Sequence, residues 1–140
     1  MRAAMLAVHS FLDGLSIGLS FKVSVGVGIV VAIAVIVHDL CDGINVVTIV
    51  RRNGGEGRVA RQWLFVDALA PVLGAAVGTS LSLRDGALGL ALAVFGGFFL
   101  YIGASDLLPA SARSDTGVAP ALMTVLGMAV LYAAVRLASL

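Results

Sequence analysis

Charge is scarce in this chain: 12% of its residues are Asp, Glu, Lys or Arg, against about 25% in soluble domains. Hydrophobic side chains make up 60% of it and the mean hydropathy is +1.08, so a water-soluble globule is excluded and a bilayer is the natural solvent. A second cysteine is missing too. Cys41 alone excludes an intramolecular disulfide and leaves the redox compartment undetermined. The nine Lys and Arg residues lie between apolar blocks and leave a net charge of +1, a pattern without the basic stripe that a nucleic-acid partner requires. Neither H-E-x-x-H nor a P-loop occurs, and no acid/base group stands outside the polar cluster described below, so an enzyme is not expected. Arg2 ahead of an apolar stretch looks superficially like a signal peptide. His9 and Asp13 interrupt that stretch and no A-x-A-like cleavage site follows, so a retained helix is expected.

What is present is a series of apolar runs long enough to cross a membrane. They lie near residues 3–21, 24–50, 62–83, 86–108 and 118–138, and predict an all-α fold: one polytopic transmembrane helix bundle of about five spans over residues 1–140. Turn signals separate the runs: Asn53-Gly54-Gly55 with Gly57, then Arg84-Asp85-Gly86, then Pro109 and Ser111 to Gly117. Pro120 suits the first turn of the last helix. Seventeen glycines, including Gly74, Gly78, Gly96, Gly97 and Gly103, predict close helix packing. Phe95, Phe98, Phe99 and Tyr101 read as lipid-facing or interhelical filler. Arg2, Arg51, Arg52, Arg58, Arg61 and Arg113 fall on one side of the expected topology, and Lys22, Arg84 and Arg136 on the other. That imbalance places the N-terminus and the Arg51–Arg61 loop in the cytoplasm and the C-terminus outside. The expected location is a cytoplasmic membrane, of bacterial type.

Two polar patterns interrupt the first two runs: His9-Ser10-Phe11-Leu12-Asp13-Gly14 and His38-Asp39-Leu40-Cys41-Asp42-Gly43. Their shared core is H-x-x-x-D-G. Residues four apart share a helix face, so each helix presents an imidazole and a carboxylate in one direction. Ionisable groups inside a membrane cost several kcal/mol unless paired or hydrated, and they usually face a bundle interior or a pathway. Measured from the connection near Lys22, His9 should lie about 18 Å deep and His38 about 21 Å deep, so the two pairs can meet. A divalent cation would use both imidazoles and neutralise both carboxylates; imidazole favours zinc, iron, copper or nickel, and carboxylate admits manganese and zinc. His9, Asp13, His38 and Asp42 are the principal candidates, with Asp39 and Ser10 as a flanking second set. Cys41 lies near the same face. A buried structural role is expected for it ahead of a ligand role.

These residues resemble the ZIP (Zrt/Irt-like) family of metal transporters. His9 to Gly14, followed by Leu15-Ser16-Ile17-Gly18, is similar to the family's fourth-helix motif, and His38 to Asn45 to its fifth. Gly97-Phe98-Phe99-Leu100-Tyr101-Ile102-Gly103-Ala104-Ser105-Asp106-Leu107-Leu108-Pro109 resembles the seventh helix. The resemblance covers nearly the whole chain, aligned with the last five of the family's eight helices. It implies transport of zinc, iron or manganese towards the cytoplasm through a binuclear centre, with the metal as substrate. His9, Asp13, His38 and Asp42 would hold the principal ion, and Ser10 and Asp39 would shape a second site.

The chain departs from the family pattern in places. Leu12 and Cys41 stand where many members carry proline, and Ala70 precedes Pro71 where many carry glutamate. Asp67, one turn earlier, is a candidate replacement, although an interfacial position reads first; Asp106 reads as a helix-end residue. The first three family helices have no counterpart. Homodimer formation or a missing N-terminal helical portion is expected to complete the scaffold, and a metal-binding fragment without transport is the alternative. Axial haem ligation by the two histidines is a weaker reading, because an Asp lies one turn from each.

Overall fold

The computed structural model describes residues 2–102, 104–105, 109 and 117–138. Among them every regular element is helical: α1 (Arg2–Val23), α2 (Val25–Arg52), α3 (Gly57–Ser80), α4 (Asp85–Ile102) and α5 (Ala119–Ala138). Long apolar segments become helices in a bilayer because a helix pairs its backbone N–H and C=O groups internally, where no water can. Polar residues mark the breaks. Ser24 alone separates α1 from α2; its backbone is extended and its hydroxyl accepts the Val27 N–H at 3.1 Å, which caps α2. At the far end of α2, Gly54 takes φ +78° and the Gly55 N–H donates to the Val50 carbonyl at 2.9 Å, closing the helix with a left-handed residue that favours glycine.

The chain divides into two compact units, one ending at Ser82 and one beginning at Leu83. In the first, α1 packs against both α2 and α3, most extensively against α3. Glycine makes that interface possible. A Cβ on Gly14 would collide with the Pro71 carbonyl and one on Gly74 with the Phe11 carbonyl; one on Gly18 would lie 2.5 Å from the Ala75 carbonyl oxygen. Backbone therefore meets backbone, as in small-residue membrane interfaces. The second unit holds α4, with Asp85 in its first turn, and α5, with Arg136 in its last. Both charges oppose the dipole of their helix end.

The first unit distributes polarity as a membrane protein does. Ser10, Asp13, Ser16, Ser20 and Asp67 are buried, while Ile33, Ile36, Val37, Leu40 and Phe65 are exposed. Helices α1, α2 and α3 are each long and apolar enough to cross a membrane; in α4 and α5 the apolar stretches are shorter, Asp85–Tyr101 and Ala119–Ala133.

Helix starts agree with the sequence expectation within a residue or two except at α3, which begins at Gly57 and not near 62. Arg58 and Arg61 are good helix formers whose long stems let the helix project beyond an apolar layer, so charge there does not end it. The seventh-helix resemblance extends past α4, and its Gly103, Asp106, Leu107 and Leu108 lie outside the described residues.

Candidate metal centre

His9 and Asp13 stand one turn apart on α1, and His38 and Asp42 one turn apart on α2. The Ser24 turn sets their depth. Fourteen residues lead from His9 to Val23 and fourteen from Ser24 to His38, a rise of about 21 Å on each helix, so the two imidazoles reach the same level. Their ring centroids are 6.0 Å apart.

Asp13 lies at the centre of the contacts. Its Oδ2 is 3.0 Å from His38 Nε2 and 3.4 Å from His9 Nε2, and His9 Nε2 is 3.7 Å from Asp42 Oδ2. Nitrogen and oxygen ligands at about 2.0–2.1 Å from a tetrahedral zinc ion stand about 3.3 Å from one another, a spacing that these three separations bracket. His9, Asp13 and His38 form one group able to converge on a cation, and His38, Asp39 and Asp42 form another. His38 belongs to both, and Asp39 joins through Oδ1, 3.8 Å from His38 Nε2.

Hydrogen bonding prepares the nitrogen that faces the cluster. His38 Nδ1 lies 2.9 Å from the Ala34 carbonyl, and a carbonyl only accepts, so Nδ1 carries a proton there. Nε2 is then the remaining lone-pair site, with Asp13 Oδ2 3.0 Å away. Two acceptors at that distance need a proton or a metal cation between them. The Ala34 bond also fixes the ring orientation, the role that an outer carbonyl plays for metal-ligating histidines. Asp13 is 0% exposed, and its Oδ1 has no hydrogen-bond partner among the described residues. A buried carboxylate oxygen left in that state is costly unless a cation reaches it.

Ser10 and Asp67 build the side of the site that faces α3. The Ser10 hydroxyl lies 3.0 Å from Asp67 Oδ1 and 3.1 Å from the Leu6 carbonyl, two acceptors for its one proton. Asp67 is only 5% exposed, where the sequence suggested an interfacial residue first. Pro71, four residues on, has no N–H for the Asp67 carbonyl. Asp67 also lines a cavity of about 600 Å³ between α2 and α3, together with Asp39, Gly43, Thr48, Leu64 and Pro71. The sequence signal for it was weak: an acid one turn before a proline in an apolar run. Its burial depends on how α3 is rotated against α1, which spacing within α3 does not reveal.

Cys41 corrects another expectation. It is exposed, not a buried structural residue, and belongs to neither ligand group. Helix α2 turns only a narrow face inward, with Gly28, Val35, Val46 and Val50 buried, and the Cys41 position falls outside it.

Comparison with known proteins gives a family match. The family described as ZIP Zinc transporter matches residues 3–134. The metal cation symporter ZIP8 of Rattus norvegicus is 31% identical over 103 residues, which is 74% of this chain and 22% of the relative. The human zinc transporter ZIP4 is 32% identical over 104 residues, 74% of this chain and 16% of its own length. The human metal cation symporter ZIP14 is 33% identical over 102 residues, covering 73% and 20% respectively. Each alignment thus takes in less than a quarter of the relative's length. No solved structure matches significantly.

Proposed function

Because the chain belongs to the ZIP zinc transporter family, we propose that it carries a divalent transition metal across a membrane, with His9, Asp13, His38 and Asp42 holding the ion in transit. The observation that carries this reading is Asp13: a fully buried carboxylate touched by imidazoles from two helices, with no partner for its second oxygen among the described residues. Two imidazoles and two carboxylates suit zinc best, with iron and manganese within reach of the same set. Asp39 and Ser10 flank the centre as a second, weaker set, to which Asp67 adds a carboxylate from α3. The charge imbalance between loops supports an N-terminus in the cytoplasm and transport towards it. The residues form one membrane domain, completed by a second copy or by further helices.

The partial coverage of the relatives favours a second reading, a metal-binding piece that moves no ion by itself. Alternating access is largely motion of one helical bundle against another, and a short chain can retain the ligands without the moving partner. Zinc uptake into proteoliposomes separates the two. Transport predicts zinc-dependent flux that Asp13→Ala and Asp42→Ala each abolish; stoichiometric zinc binding without flux supports the second reading. Flux untouched by both substitutions removes the proposed role of the site.

A further inference from the structure

Four arginines, Arg51, Arg52, Arg58 and Arg61, stand exposed around the turn that joins α2 to α3. That turn is short and held from within. Besides the Gly55–Val50 bond, Asn53 Nδ2 donates to the Ile49 carbonyl at 2.7 Å. Arg51 reaches across it: one of its terminal nitrogens lies 3.9 Å from where a Cβ on Gly57 would stand. The Arg51 side chain of one helix end therefore reaches the start of the next, where Arg58 follows directly and Arg61 one turn later. Arg2 begins α1 at the same end, because its neighbour Ala3 packs in a cluster with Val50 and Ala60. The acid of this turn is Glu56, exposed and making no capping bond. Among the described residues no carboxylate forms an ion pair with these four guanidinium groups; the pairs present all join histidine to aspartate.

The patch sits at the boundary of an apolar layer. Helices α2 and α3 are both membrane-capable and both end here. Trp63 is packed half-buried against the Ala3, Val50 and Ala60 cluster, and indole rings favour the headgroup level of a bilayer. We propose that this end docks the phosphodiester headgroups of anionic phospholipids. Guanidinium groups match phosphate oxygens in paired N–H···O geometry. A solvated connector would need only a charge excess to orient the chain. Here four guanidinium groups, without an ion pair among the described residues, lie around one fixed turn beside an interfacial indole, which is the arrangement that a headgroup completes. The stretch of chain is separate from the metal centre, so the inference stands whether or not the chain transports an ion.

Trp63 is the protein's sole tryptophan and serves as the reporter. The full chain is reconstituted in phosphatidylcholine vesicles containing equal fractions of either brominated phosphatidylglycerol or brominated phosphatidylcholine, and Trp63 quenching is compared. Quenching by the anionic lipid should be stronger, with a preference of about fivefold for each arginine engaged. The quadruple change Arg51→Gln, Arg52→Gln, Arg58→Gln and Arg61→Gln should bring the ratio to about one, whereas four Lys replacements, which keep the charge without the paired geometry, keep only part of it and Arg84→Gln leaves it alone. An unchanged helical circular dichroism spectrum of the glutamine variant shows that its loss of preference is not unfolding. Equal quenching in the unaltered protein overturns the proposal, as does a preference that survives the glutamine changes. Abolition of the preference by inorganic phosphate overturns it in favour of a free-anion site.

Discussion

Asp13 has one oxygen committed to two imidazoles and one committed to nothing among the described residues. A cation resolves both conditions, and a neutral amide does not. Zinc needs lone pairs on nitrogen and ionised carboxylates, so binding expels protons and affinity weakens as the pH falls. Titration calorimetry in buffers of different ionisation enthalpy should detect that release, and a binding heat independent of buffer would contradict it. Ser10 and Asp67 offer a test of the third helix. The hydroxyl–carboxylate bond should show a coupling of about 1 kcal/mol between Ser10→Ala and Asp67→Asn in reversible detergent-induced unfolding; additive effects would mean the contact contributes nothing. Cys41→Ser should leave zinc affinity within about twofold, because an exposed thiol outside both ligand groups is not a ligand. A tenfold loss would place sulfur in the centre. The residue scale is also where sequence reading was strongest and where it failed. The H-x-x-x-D-G repeat identified four side chains that the fold brings together, because four-residue spacing on a helix is a geometric constraint carried by the sequence itself. The burial of Asp67 and the exposure of Cys41 depend on rotations between helices, for which the sequence offers no ruler.

Helix α1 is held against α3 by the absence of side chains. Gly14, Gly18, Gly74 and Gly78 bring the two backbones into contact, and the Pro71 carbonyl occupies the space beside Gly14 one residue from Asp13. Gly14→Ala or Gly74→Ala should therefore destabilise the first unit by about 1–3 kcal/mol or prevent its assembly, and should loosen zinc binding by displacing Asp13. Gly86→Ala and Gly89→Ala should be tolerated, since none of the described residues lies within 4 Å of a Cβ at either position. Thermal unfolding of the four variants with and without zinc checks the contrast, which equal effects would refute. Helix existence and most helix starts were legible from apolar run lengths and turn residues. The early start of α3 was not, because Arg58 and Arg61 read as loop when they are the projecting first turns of a helix.

At the scale of the molecule, polarity runs inward: carboxylates, imidazoles and serines occupy the middle of the first unit, aliphatic side chains cover its outside, and arginines gather at one end. A bilayer suits all three features, since lipid tolerates the aliphatic surface, the interior shelters the buried polar side chains, and cations belong at the headgroup level. Each of the relatives described is matched over less than a quarter of its length, so binding and flux are separate claims at this scale. Binding comes first, and zinc-edge X-ray absorption of the metal-loaded protein reads it at the ligands themselves. The spectrum should show a shell of nitrogen and oxygen only, at about 2.0–2.1 Å, with imidazole scattering from two histidines that falls by half in either His9→Ala or His38→Ala. A sulfur shell at about 2.3 Å, or a spectrum unchanged when both histidines and Asp13 are replaced, would contradict it.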